Sequence, residues 1–564
     1  MRKRLRLIAA FALIALMTAA CAGATDGGDG GDTGEGGNEA SATLTFGTSA
    51  DPVVLDPALV SDGESLRVSD QIYEGLVTLE PGTTEVVPGL AEELPEISED
   101  GKSYTFTLRE GVKFHDGTDF NAEAVCFNFD RWYNFEGSFQ NADASYYYQT
   151  VFGYGGFASK PGSPDSSNYE SCEATDESTV VLNIKTPSTS LLAALTLTAL
   201  TIASPAALEE YEADKGRVDA EGLFRPTGTF STEHPTGTGP FKFNEWIRGE
   251  RLVLERNEDY WNAEEQTGNV QTLIFQPIPD PAARLQALQA GEIQGFDLVD
   301  PQDYETIEGD ENLELLNRPA FNVGYVGFNQ AVKPFDDPAV RQAFAHAIDR
   351  QEVVDAFYAG QGEVATQFMP PELPGYADDV TEYEYDPEKA KQILTDAGFD
   401  LPVEIQFAYP TDVERPYMPD PQANFEAMVQ DLEECCFTVQ QDSATWSPDY
   451  LGKVDTGKYG AYLLGWTGDF ADPDNFIGTF FQDEQPAWAH GNKEISDALD
   501  AAETETDLDA RDELYQEANR LIMEELPGIP YVHTKPGLAF TANVTGYLPS
   551  PVSLEPFSIV TVEE

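Results

Sequence analysis

The sequence predicts an α/β protein, and three observations carry that prediction. Four Asp-Pro pairs, at 280–281, 337–338, 386–387 and 420–421, each precede a segment with helical spacing of apolar residues. Asp at such a start accepts the unpaired first-turn amides and Pro has no amide to leave unpaired, so each pair is a strong helix-start signal. Short apolar runs, Val323 to Phe328 and Tyr459 to Leu464, lie between these helices as strands do in α/β folds. Finally, 564 residues with 41% hydrophobic and 11% aromatic side chains suffice for two or three domains with sizeable cores.

The elements follow in chain order. Arg2, Lys3, Arg4 and Arg6 precede an apolar run from Leu7 to Met17, and Thr18, Ala19 and Ala20 lead to Cys21. This is an export signal over residues 1–20. Its end resembles the bacterial lipobox, in which the Cys becomes lipidated and is the first mature residue, although Thr18 stands where Leu is usual. An ordinary signal cleaved after a small residue, with Cys21 incidental, is the alternative. Residues 21–40 form a flexible Gly/Asp-rich tether; their rhythm resembles a calcium-binding repeat but lacks that repeat's apolar position. After residue 21 no apolar stretch reaches the roughly 18 residues a membrane helix needs.

Thr43 to Phe46 alternates as a strand. Asp100-Gly101 makes a turn into a second strand with Tyr104, Phe106 and Leu108 on one face, and Asn121 to Trp132 reads as an amphipathic helix. Residues 133–178 are polar and loop-rich, and strands follow at Thr179 to Ile184, Arg251 to Arg256 and Thr272 to Pro277. The helix after Asp280 carries Leu285 and Leu288. The one after Asp337 carries Val340, Phe344, Ala347 and Ile348 on one face, and Gly398 ends the one after Asp386.

Charge and motif content exclude several functions. Removing the four basic residues of the leader takes the formal charge from −68 to −72, which repels nucleic-acid phosphates and anionic lipid headgroups. With 32 Lys and Arg against 100 Asp and Glu, the composition resembles that of salt-adapted proteins, and equally that of an ordinary soluble acidic exported protein. There is no zinc spacing among the five His, no Gly-x-Ser-x-Gly, no phosphate loop and no dinucleotide fingerprint. Neither catalytic residues nor a metal or other cofactor is expected. Asp469, Asp472 and Asp474 are spaced rather like a calcium loop but lack its Gly and terminal Glu. Cys126, Cys172, Cys435 and Cys436 allow three pairings. Cys126 and Cys172 bracket the loop-rich stretch and are the favoured bridge, whereas a bridge across the neighbours Cys435 and Cys436 would be strained.

The run Gly465-Trp466-Thr467-Gly468-Asp469, followed by Asp472-Pro473-Asp474-Asn475-Phe476, offers an aromatic wall, glycines and an acid where an apolar strand stops. It resembles the ligand-site segment of dipeptide-binding proteins, within the peptide/nickel-type family (family 5) of ABC-transporter solute-binding proteins. Glu414-Arg415-Pro416-Tyr417-Met418-Pro419 is similar to a second ligand-site run of those relatives. Tyr73-Glu74-Gly75-Leu76-Val77, Pro88-Gly89-Leu90-Ala91-Glu92, Gly111-Val112-Lys113-Phe114-His115-Asp116-Gly117 and Gly237-Thr238-Gly239-Pro240-Phe241 extend the likeness over about residues 41–560.

The resemblance implies a two-lobe periplasmic-binding-protein type II fold with an additional third domain and a ligand cleft between the lobes. The expected division is 41–75, 205–290 and 526–564 for lobe I, 76–204 for the extra domain II, and 291–525 for lobe III, with 133–178 and 212–236 as candidate insertions. It implies no enzyme but a monomeric, lipid-anchored protein outside the cytoplasm that hands a di- or oligopeptide to an ABC permease. Arg415 would grip the peptide carboxylate and Asp469 its ammonium, with Trp446, Trp466 and Tyr417 lining the walls. His115 beside Asp116 becomes a turn. Relatives of the same fold carry nickel complexes, haem, opines or sugars, and an extracellular hydrolase is the reading from another class.

Overall fold

The structure, a computed structural model, describes residues 42–563 apart from 142–143, 160–165, 220–223 and 553. The export signal, Cys21 and the tether lie outside the described residues. Among the described residues no helix is long and apolar enough to cross a membrane.

The alternating run that begins at Thr43 becomes the strand Ala42–Thr48, which pairs in parallel with Val270–Pro277 and Gly295–Asp297. These three strands sit inside a seven-stranded sheet. Arg251–Arg256 and Phe241–Ile247 extend it at one side, and Gly537–Thr541 and Leu313–Asn317 at the other. A six-stranded sheet organises the other lobe. Its central strand Asn322–Phe328 is buried along its whole length, as a strand covered on both faces must be. Ala461–Thr467 pairs antiparallel with it, and Val403–Thr411 runs parallel to both Ala461–Thr467 and Phe437–Thr445.

All four Asp-Pro pairs open helices, at Pro281–Gln289, Pro338–Ala347, Pro387–Asp396 and Pro421–Cys435, with each Asp side chain accepting a first-turn amide. Caps of this kind contribute about 0.5–2 kcal/mol each. Beyond the third helix Gly398 takes the left-handed conformation, φ +86°, that a side chain would strain. Phe344 from the second helix sits against Phe328, Phe407 and Phe437, so that helix covers the six-stranded sheet.

The extra domain has a four-stranded antiparallel sheet, Glu96–Ile97, Ser103–Thr107, Thr179–Ile184 and Tyr169–Ala174, backed by the helix Ala122–Tyr133. Tyr104, Phe106 and Leu108 all point into its core. Cys126 on the helix is joined to Cys172 on the outer strand, with 5.1 Å between the Cα atoms. Closing a segment 46 residues long contributes on the order of 4 kcal/mol by restricting the unfolded chain. Cys435 and Cys436, between which a bridge was expected to be strained, are also joined to each other. Arg131 reaches from the extra domain to Asp56 of the first lobe at 2.6 Å, both buried, and Asn128 bonds the backbone of Ala203 in both directions. Val54, Ala58, Leu59 and Val60 share the extra domain's apolar core, so it is welded to the seven-stranded lobe.

The chain crosses between the two large sheets over residues 317–322 and 534–537. The expected boundaries need correcting there. Gly295–Asp297 and Leu313–Asn317, assigned to lobe III, pair within the seven-stranded sheet, whereas Gly528–Thr534, assigned to lobe I, pairs with Asn322–Phe328. Short apolar strands look alike whichever sheet they join, because partner choice is made by residues far away in sequence. The crossings are tied to each other. Arg318 donates its amide to the Pro536 carbonyl at 2.9 Å, and Asn322 exchanges hydrogen bonds with the Thr534 backbone.

Candidate ligand site

The carboxyl ends of the parallel strands in both lobes face one another across an open cleft of about 1060 Å³. Ser49, Leu298 and Asp300 line it from the seven-stranded lobe, and Tyr409, Asp412 and Arg415 from the six-stranded one. Strand carboxyl ends are where α/β folds hold ligands, because loops there diverge and leave a crevice.

Arg415 follows the strand Val403–Thr411 in a tight turn, in which Arg415 and Met418 exchange backbone hydrogen bonds of 3.1 and 2.9 Å. Asp412, with φ at +57°, accepts the Trp446 amide at 3.0 Å and so ties this loop to the end of the neighbouring parallel strand. That brings the Trp446 indole under Arg415, whose guanidinium carbon is 4.6 Å from the ring centroid. Among the described residues no side-chain hydrogen bond or ion pair is made by Arg415, and its Nε is buried without a partner. Glu414 next to it turns away, to Arg284 of the opposite lobe at 3.8 Å.

Asp469 follows the adjacent strand Ala461–Thr467. A Cβ on Gly468 would meet the Phe321 ring at 2.2 Å, so only glycine lets the backbone pass at that point. Asp469 is half-buried and forms no ion pair among the described residues. Its Oδ1 accepts the Tyr147 hydroxyl at 2.8 Å, and its Oδ2 takes a longer bond, 3.4 Å, from Asn475. Desolvation pushes its carboxyl up to about 6, against the pull of those two donors. The neighbouring acids behave otherwise. Asp472 is held by Arg511 at 2.7 Å, and burial raises Asp474 well above the usual carboxylate range, so the three carboxylates spaced like a calcium loop go to three different environments.

The structure thus brings Arg415 together with Trp446, and Asp469 together with Trp466, whose indole points at Asn475. The cleft that Arg415 lines does not include Asp469 or Trp466. Tyr417 differs from its expected place on a wall. It is 5% exposed, its ring lies against Gly465, and its carbonyl accepts the Tyr358 and Tyr531 hydroxyls. An apolar ring beside a side-chain-free glycine is drawn into the core, so Tyr417 forms a floor between the two strand ends. His115, expected in a turn, bonds the Gly239 carbonyl at 2.9 Å, and burial lowers its pKa to about 4.

Three contributors escaped the sequence reading. Tyr147 lies on the helix Tyr146–Phe152, inside the loop-rich insertion, and nothing local marks it as facing a carboxylate 322 positions away. Phe470 leaves the six-stranded lobe to bury itself in the extra domain's apolar cluster. Asn475 sat within the motif run, but its orientation toward Asp469 and Trp466 depends on the fold of the loop.

Comparison with known proteins identifies the family. The model of the bacterial extracellular solute-binding proteins, family 5 (middle), matches residues 85–488. The chain is 32% identical over 537 residues to the dipeptide-binding protein of Escherichia coli (strain K12), covering 92% of this chain and 95% of that one. It is 30% identical over 538 residues to heme-binding protein A of Haemophilus influenzae (strain ATCC 51907), covering 93% of each. Among solved structures, the ABC transporter-associated periplasmic binding protein DppA from Helicobacter pylori, in complex with the peptide STSA, superposes with a TM-score of 0.77 at 28% identity. That match covers 93% of this chain and 98% of the other. The protein therefore belongs to family 5 of the bacterial extracellular solute-binding proteins.

Proposed function

We propose that the protein captures a di- or oligopeptide with free termini and delivers it to an ABC permease. The observation that carries this reading is a pair of charges without ionic partners at neighbouring strand ends, Arg415 on Trp446 and Asp469 beside Tyr147. In a chain with 100 acids, Arg415 has no carboxylate within ion-pair distance among the described residues and a buried Nε without a partner, which leaves it open for an anion. Its planar fork suits a carboxylate in a way the lysine ammonium does not. Asp469 supplies the acceptor for an ammonium, and Trp446 and Trp466 supply apolar walls. A cleft of about 1060 Å³ has room for several peptide residues. The names of the Escherichia coli and Helicobacter pylori relatives support the peptide reading, and closure of the lobes would desolvate both charges.

We further propose that a lipid on Cys21 holds the chain at the outer face of the membrane, where it acts as a monomer with no nucleic-acid partner. Cys21→Ala should then release it from the membrane fraction, and unchanged fractionation would refute the anchor. The peptide reading is tested by calorimetry with dialanine and its N-acetylated, C-amidated form. Binding of the free peptide with loss of the doubly capped one is expected. Tight binding of the capped form, or native mass spectrometry showing a co-purified haem, metal complex, opine or sugar, would leave the family standing and remove the peptide.

A further inference from the structure

The loop Asp469–Phe476 holds a fully buried asparagine whose hydrogen bonds converge on the candidate site. Asn475 is 1% exposed and ends a short 3-10 turn, Pro473–Asn475. That turn is anchored from behind, because Asp472 both caps it and grips Arg511 of the helix Leu508–Glu525 at 2.7 and 2.8 Å. From this support the Asn475 side chain makes three hydrogen bonds, and all of them go to residues of the candidate site. Its Oδ1 accepts the Asp469 amide at 2.7 Å and the Trp466 indole N–H at 3.5 Å, and its Nδ2 donates to Asp469 Oδ2 at 3.4 Å.

We infer that Asn475 is a positioning residue, which presents the Asp469 carboxylate and the Trp466 ring to the ligand as one unit. The inference rests on the peptide reading for what the ligand is, but not for what Asn475 does to Asp469. An acceptor that fixes the Asp469 backbone and a donor that faces its carboxylate leave the side chain one orientation. A single amide supplies both, and neither a carboxylate nor an apolar side chain can. Opposite Asn475, Tyr147 from the extra domain donates to the other carboxylate oxygen. The remaining groups near Asp469 are few. Tyr146 packs edge-on against Tyr147 at 5.0 Å, and Asp62 and Asp455 act on these tyrosines rather than on Asp469. No arginine, lysine or histidine forms an ion pair with Asp469 among the described residues, so its ionisation is governed by burial and by two neutral donors.

The test compares Asn475→Asp and Asn475→Leu with the intact chain in two measurements. In the ligand-free protein, a pH titration of tryptophan fluorescence should show a step near 6 that Asp469→Asn abolishes. Both Asn475 variants should move that step upward by about one pH unit, because a donor to the charged form is lost and, in Asn475→Asp, a second carboxylate faces the first. In calorimetry with dialanine at pH 7.5, both should lose about tenfold to a hundredfold in affinity, the worth of one hydrogen bond to a charged group. A purely structural asparagine would instead lower the melting temperature and weaken binding equally at every pH, leaving the step in place. A step that stays put in both variants, or the absence of any Asp469-dependent step, overturns the role. If Asn475→Leu does not fold, Asn475→Asp carries the test alone. If the step moves but the intact chain ignores dialanine, Asn475 keeps its role and the peptide reading fails.

Discussion

Two groups of charges in this molecule are handled in opposite ways. Beside the crossing between the lobes, Arg67, Asp297, Arg318 and Glu555 form a buried alternating cluster. Arg318 Nε donates to Glu555 at 2.7 Å, Arg318 also pairs with Asp297, and Arg67 bridges Asp297 and Glu555. Burial alone would raise the Asp297 carboxyl, but the Arg318 and Arg67 guanidiniums outweigh it and hold it well below the usual range. At the ends of two neighbouring strands of the six-stranded sheet, among the described residues, Arg415 has an indole and no carboxylate, and Asp469 has a phenol and an amide but no cation. The first group is complete within the chain and serves the fold. The second has no ionic partner among the described residues, and under the proposed function the ligand supplies it.

The sharpest way to break this comparison is Asp469→Ala. Removing one partner of a buried charge pair costs about 3–5 kcal/mol, so dialanine affinity should fall roughly a hundred- to several-thousandfold while the fold persists. Calorimetry alongside thermal unfolding decides it, and indifference of the affinity would place Asp469 with the structural charges. Asp297→Asn should do the reverse, with a loss of about 3–5 kcal/mol in chemical denaturation, as two buried arginines lose a counter-charge. Dialanine affinity at 25 °C should change little, and a large selective loss of binding would merge the two groups.

The pH dependence separates binding from folding within Asp469 itself. Its carboxyl is raised from 3.8 to about 6 in the folded protein, so between about 4 and 6 the folded state holds a proton that the unfolded state has released. Its contribution to stability is therefore least favourable above about 6 and improves as pH falls through that value. Under the proposed function Asp469 grips an ammonium in its ionised form, so affinity should fall about tenfold per pH unit below about 6. Melting temperatures of the intact chain and Asp469→Asn should converge on going from pH 7.5 to 5, while dialanine affinity of the intact chain declines. Parallel movement of the two would mean that Asp469 is not the titrating group.

Smaller effects sharpen the picture. Tyr147→Phe removes the extra domain's donor to Asp469 and should weaken dialanine binding by about 1.5 kcal/mol, the lower end for a hydrogen bond to a charged group, because Asn475 remains. Arg415→Lys keeps the charge but loses the planar stack on Trp446 and the fork. About 1 kcal/mol is expected in calorimetry, and full activity of the lysine would reduce Arg415 to a point charge.

Some of this was legible in the residues alone. The helix starts at Asp280, Asp337, Asp386 and Asp420 are local events, settled by a side chain accepting amides two or three positions on, and each lies where the sequence places it. The strand Thr179–Ile184 and the buried face of Tyr104, Phe106 and Leu108 follow from alternation, which is also local. Arg415 and Asp469 were legible as candidates because their neighbours form motifs. That one stacks on Trp446 and the other faces Tyr147 was not, and neither was the descent of Tyr417 into the core. Lobe membership of Gly295–Asp297, Leu313–Asn317 and Gly528–Thr534 likewise escaped the sequence. Capping and alternation act over a few residues and leave their signature in order along the chain. Sheet partners, the partner of a carboxylate and the burial of a ring are chosen among residues hundreds of positions apart, and only the assembled tertiary structure decides between them.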